Sequence, residues 1–179
     1  GRQFPLILLL GRPEDQQTLH DLMTAPTLQD IPKRISDVEL SRTIETALEK
    51  YTQINDIIVV ETAIDQLYFK RLKNLLMALP KKDQQEVLQI VGCQIDLTNI
   101  IILFRAQQLN LSRKTRQAFL LPYNVYLRER LEKLLDATSM EQMWNIIAET
   151  RYHDLNIQVE KQVEDDELLY LLEKAMKQY

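Results

Sequence analysis

Two carboxylates, Glu61 and Asp65, stand four residues apart in the stretch "VETAIDQLYFKRL", and Tyr68 follows three residues later. At helical spacing i, i+4 and i+7 the three share one face. Paired acids can divide general acid and general base work between them, as glycosidases and aspartic proteases do. That chemistry also needs a cleft. Here the neighbours along the helix are Ile57, Val60, Ile64, Leu67 and Leu75, with no nucleophile, histidine or glycine loop beside them. A second polar set, Asp96, Asn99 and Arg105, interrupts the apolar run "IDLTNIIILFR". A guanidinium is a planar fork suited to a carboxylate, and both groups need partners once buried. Arg105 is therefore expected to reach the acidic face of the earlier helix and pair with Glu61 or Asp65. Asp96 is expected to cap the start of its own helix, with Gly92 ending the helix before it. Asn99 is expected to bond a neighbouring backbone. On this reading Glu61, Asp65, Tyr68, Asp96, Asn99 and Arg105 form a structural polar lock. It fixes the register of helices more than it adds net stability.

Other chemistries find little support. One cysteine, Cys93, cannot close an internal disulfide, and it reads as a small buried apolar group or a reactive thiol. His20 and His153 are far apart in sequence and read as surface or interface residues, so no metal framework is expected. No dinucleotide, P-loop, zinc-protease or nucleophile-elbow motif occurs, and no cofactor is expected. The chain carries 22 basic and 26 acidic residues, net −4, with no basic stripe of the kind that nucleic acid requires. The basic spots "KRLK" (Lys70–Lys73) and "RKTR" (Arg113–Arg116) read as solvated helix faces, with docking on an acidic partner as the other possibility.

The elements that would hold these residues are helical. Only three glycines occur in 179 residues, and the six prolines are spread out. A β-rich chain would need more turn residues than that, whereas good helix formers dominate here, so an all-α fold is expected. Periodicity and caps place helices over about 13–24, from Ser36 to about 52, about 56–79, a short one to Gly92, and 95–109. Ser112 caps a short helix. Pro122 breaks the chain before a helix to about Asp136. Ser139 opens a helix with Met143, Trp144, Ile147 and Ala148, and a last helix spans about 157–177. "VETAIDQLYFKRL" aligns without gaps on "VEKQVEDDELLYL" (Val159–Leu171), an echo that would make the chain a series of similar bundles. The apolar runs "PLILLL" and "NIIILF" fall short of the roughly 20 residues that span a bilayer, and the start does not read as a signal peptide.

The stretch "VETAIDQLYFKRL", followed by "IDLTNIIILFRAQQLNLS", resembles the C-type subunits of archaeal and bacterial V/A-type rotary ATPases, whose eukaryotic counterpart is the d-type one of the vacuolar proton pump. The residues that carry the likeness are Glu61, Asp65, Tyr68-Phe69, Asp96-Leu97, Asn99, Arg105 and Leu111-Ser112, with "TRYHDL" (Thr150–Leu155) further on. The likeness covers about Ile35–Leu155 and departs at "LPYNVYL", where relatives often carry glycines. It implies three similar helical bundles in a funnel at about twice this length, of which the chain would hold a truncated part: residues 1–34 ending one bundle, 35–125 the central bundle, and 126–179 beginning the next. It also implies a non-catalytic rotor subunit linking the central stalk to the membrane proteolipid ring and passing torque for proton or sodium transport. Such a subunit lies at the cytoplasmic face, with other ATPase subunits as partners, no nucleic acid and no membrane span of its own. The rival reading is a generic helical adaptor or scaffold, which predicts an open groove for a protein partner. An all-helical enzyme would instead predict a deep pocket holding Glu61, Asp65 or His153.

Overall fold

A computed structural model describes residues 20–153. Among these residues every regular element is a helix, so the chain is all-α. They fall into two compact units that divide at Leu67/Tyr68. The expected last helix, the second copy of the internal echo and most of the expected first helix lie outside the described residues.

In the first unit, helical turns at 20–23 lead into two 3-10 turns, Leu28–Asp30 and Pro32–Arg34. Arg34 ties these together, its guanidinium donating to the Asp21 carbonyl and to Thr24 Oγ1. Helix α1, Val38–Ile54, starts where the Asp37 carboxylate accepts from the Leu40 N–H at 3.0 Å. The cap is thus Asp37 rather than Ser36. The helix stops at Asn55, whose φ of 55° is the left-handed conformation that Asn tolerates best after glycine. Asp56 then receives the Ile58 N–H at 2.8 Å and opens α2, Ile58–Leu76. Ile44, Ala47 and Leu48 of α1 are buried, and so are Ile58, Val59, Val60, Thr62 and Leu67 of α2. Thr62 is satisfied within its own helix by the Ile58 carbonyl.

The second unit is organised by one long helix, α3, Lys81–Gln108. The sequence reading breaks this helix at Gly92, and that is incorrect: the helix runs straight through. Ile100, Leu103 and Phe104 of α3 join Leu127, Leu134, Met143, Ile147 and Tyr152 in one core, with Trp144 against Phe104 at 4.5 Å. Fully burying each such side chain contributes about 1.5–3 kcal/mol, which outweighs the cost of a mid-helix glycine. Helix α4, Arg113–Phe119, is capped by Ser112. Between it and the later helices the chain after Pro122 is irregular until α5, Leu131–Asp136, a helix shorter than expected. Helix α6, Met140–Ala148, is capped by Ser139; this cap and that of α4 are the ones their sequences predict. By length and composition α3 is apolar enough to cross a membrane. Half of its apolar window is buried in this fold, however, and Asp96 and Asn99 are paired with protein groups, as a core helix requires.

Candidate functional site

Gly92, Asp96 and Asn99 lie at i, i+4 and i+7, so α3 presents them along one face. That face holds the irregular segment 121–127. Asn99 Oδ1 accepts from the Leu121 N–H at 2.7 Å, and its Nδ2 donates to the Leu121 carbonyl at 3.0 Å and to Asn124 Oδ1 at 2.7 Å. The amide thus pairs with both backbone groups of Leu121, as a strand neighbour would. One turn earlier Asp96 receives the N–H groups of Val125 (3.1 Å), Tyr126 (2.7 Å) and Leu127 (3.2 Å). The Tyr152 hydroxyl adds a fourth donor at 3.1 Å. A further turn back, Gly92 leaves room for Val125: a Cβ added there would lie 2.1 Å from Val125 Cγ2.

Asp96, Asn99 and Tyr152 are fully buried. The segment they hold has no helix or sheet to absorb its polar groups, and a buried amide without a partner costs about 1–3 kcal/mol. Asp96 and Asn99 answer that need from α3. Burial pushes the Asp96 carboxyl above its ordinary value, and the backbone and Tyr152 hydrogen bonds oppose the push. Burial and the neighbouring Asp96 charge push the Tyr152 hydroxyl upward, so it stays a neutral donor. Asp96 therefore does not cap its own helix. It lies in mid-helix and ties together three elements: α3, the 121–127 segment, and the turn after α6 that carries Tyr152.

The acids of α2 stand differently. Glu61 and Asp65 lie one helical turn apart, and both are half-buried. Desolvation and the nearby Glu61 charge push Asp65 up to about 6. Tyr68 is 53% exposed, its ring edge against Phe69. Arg105 is half-buried in the last turn of α3. His20 and His153 are exposed, Cys93 is half-buried, and no cluster of metal-ligating side chains occurs among the described residues. The basic spot at 113–116 is not simply solvated. Arg113 bridges Glu132 and Asp136, and Arg116 donates to the carbonyls of Leu111 and Ala137. Lys73 likewise sits 3.7 Å from the Tyr123 ring centre.

Sequence reasoning misses Tyr152, Asn124 and the true use of Gly92. The available signal is the shared helical face of Gly92, Asp96 and Asn99. Once the helix is taken as unbroken, a small residue beside two buried polar ones marks a seat for backbone. What the site can do is mechanical: it clamps an irregular segment against a helix through charge-assisted hydrogen bonds.

Residues 5–179 match the family model described as ATP synthase (C/AC39) subunit. The chain is similar to the C-type subunit of the A-type ATP synthase of Methanobrevibacter smithii, 24% identical over 173 residues, which is 96% of this chain and 45% of that protein. It is similar to the same protein of Methanocaldococcus jannaschii, 22% identical over 177 residues, 98% of this chain and 44% of that one. For the Methanosphaera stadtmanae protein the figures are 22% over 148 residues, 82% and 38%. No solved structure matches. The chain spans less than half the length of these curated relatives. With the model matching nearly its whole length, the chain belongs to the ATP synthase (C/AC39) subunit family.

Proposed function

We propose that the chain serves as a non-catalytic linking subunit of an A/V-type rotary ATPase. It joins the central stalk to the membrane proteolipid ring and passes torque between them for proton or sodium transport. Its partners are the stalk and ring subunits, and its place is the cytoplasmic face of the membrane, with no span of its own. The observation that carries this reading is the family match over residues 5–179. The polar clamp supports it. A part that transmits force must not let its segments slide, and Asp96 and Asn99 fix a non-helical stretch to a helix by hydrogen bonds that have one register. The same proposal takes residues 35–125 as the central bundle, between parts of two others.

The test is co-purification. The native-length protein, tagged and expressed with the stalk and proteolipid subunits, is expected to retain both through affinity and size-exclusion steps. Recovery of the tagged protein alone under conditions that keep the rest of the complex intact would refute the role.

A further inference from the structure

We propose that an apolar groove in the second unit binds a long-chain carboxylate, its hydrocarbon chain against the lining and its acidic head held by Lys73 and Arg128. The groove encloses about 580 Å³, within the roughly 300–1,000 Å³ of small-ligand pockets. It lies between the end of α2, the first half of α3 and the 123–128 segment. Phe69, Leu76, Leu88 and Val91 make its apolar lining. Phe69 and Leu76 are buried, whereas Leu88 is 38% and Met77 58% exposed, which leaves apolar surface in contact with water. The site is preformed. The clamp at Asp96 and Asn99 fixes Val125 and Asn124, and both of these line the groove.

Charge and backbone conformation select the occupant. Lys73 and Arg128 line the groove, and among the described residues no carboxylate does. Neither cation is ion-paired to a described carboxylate. The Lys73 ammonium instead donates to the Tyr123 hydroxyl and lies 3.7 Å from the centre of that ring. Tyr123, itself a lining residue, holds a φ of 78°, a left-handed conformation rare for a bulky side chain. Such strain persists where the surroundings over-determine it, and it gathers at ligand clamps. The guanidinium of Arg128 offers the planar fork that a carboxylate fits. A neutral hydrocarbon would leave both cations unused. A partner helix, about 10 Å across, would lie over the groove rather than fill it. One alkyl chain with an acidic head matches the lining and the cations together, and its binding is independent of the linking role proposed above.

The test is calorimetric titration of the full chain with monomeric dodecanoate, decanoate and octanoate, and with dodecanol as the uncharged counterpart. Dodecanoate is expected to bind one per chain, and each two-carbon shortening should weaken binding about fifteenfold. Val91→Trp, which fills the groove, should abolish binding. Arg128→Ala, at an exposed position, should weaken dodecanoate on the order of tenfold and leave dodecanol unchanged. Circular dichroism checks that each variant keeps its helices. No dodecanoate binding by the folded chain at millimolar concentration would overturn the proposal. So would dodecanol binding as tightly as dodecanoate, or binding indifferent to Arg128→Ala. Two further results would reassign the groove and overturn it as well. One is capture by phosphatidylglycerol vesicles with monomeric dodecanoate ignored, which gives it to a membrane surface. The other is self-association in sedimentation that Val91→Trp abolishes and dodecanoate does not displace, which gives it to a second copy.

Discussion

The substitution Asp96→Ala probes the clamp most sharply. It strands the N–H groups of Val125, Tyr126 and Leu127 and the Tyr152 hydroxyl, which the carboxylate receives at 2.7–3.2 Å. Each stranded donor would cost about 1–3 kcal/mol if it stayed buried. They will not all stay buried, because Val125 is 41% and Tyr126 36% exposed and the segment can lift toward water. The net loss is then about 3–4 kcal/mol, the range for removing one member of a buried charged network. Asp96→Asn should lose about 2 kcal/mol, since it keeps one acceptor oxygen but turns an NH2 toward other donors. Tyr152→Phe should lose about 1 kcal/mol, because three donors still hold the carboxylate. Urea denaturation followed by circular dichroism gives the stabilities, and hydrogen exchange at the amides of 125–127 gives the local effect. The double substitution Asp96→Ala with Tyr152→Phe should cost less than the sum of the single ones, since both break the same bond. A loss under about 1 kcal/mol for Asp96→Ala, with exchange at 125–127 unchanged, would refute the reasoning.

The same geometry sets further outcomes. Asn99→Asp should destabilise by about 2–3 kcal/mol, because a carboxylate cannot donate to the Leu121 carbonyl and adds a second buried charge one turn from Asp96; equal melting temperatures would contradict this. Gly92→Ala should destabilise by about 1 kcal/mol despite its better helix propensity, since Val125 is β-branched and cannot easily turn aside. Val125→Ala in the same chain should reverse the loss, which paired denaturation curves will read. The upward-shifted Asp65 binds its proton more tightly folded than unfolded, so its contribution is fully present below pH 3.8 and is lost as pH rises through about 6. The full shift would be about 3 kcal/mol, and partial exposure reduces it to about 1 kcal/mol; Asp65→Asn should therefore flatten the stability profile between about pH 4 and 6, and an unaltered slope would count against it. The proposed pairing of Arg105 with Glu61 or Asp65 predicts a marked fall in melting temperature for Arg105→Ala.

Much of the fold is legible because helices announce themselves locally. Ser112 and Ser139 carry the hydroxyl that an N-terminal turn needs, and the Met143–Ile147 spacing gives the buried face of α6 directly. The misreading at Gly92 has a physical source. Glycine after a periodic run is the commonest helix stop, but it also allows close approach by another part of the chain. The choice depends on Val125, which is distant in sequence and whose approach no local pattern reveals. Asp96 is misplaced as a consequence, since a helix starting near it would need a cap. The polar character of Asp96 and Asn99 is plain; their partners, three consecutive amides in an irregular segment, leave no signature in side-chain type.

The linking role itself is best tested by reconstitution. Complexes assembled in vesicles with and without the native-length protein should differ in ion movement while the head retains ATP hydrolysis. The account predicts that hydrolysis continues and transport is lost when the protein is left out. Transport at the full rate without it would contradict the account.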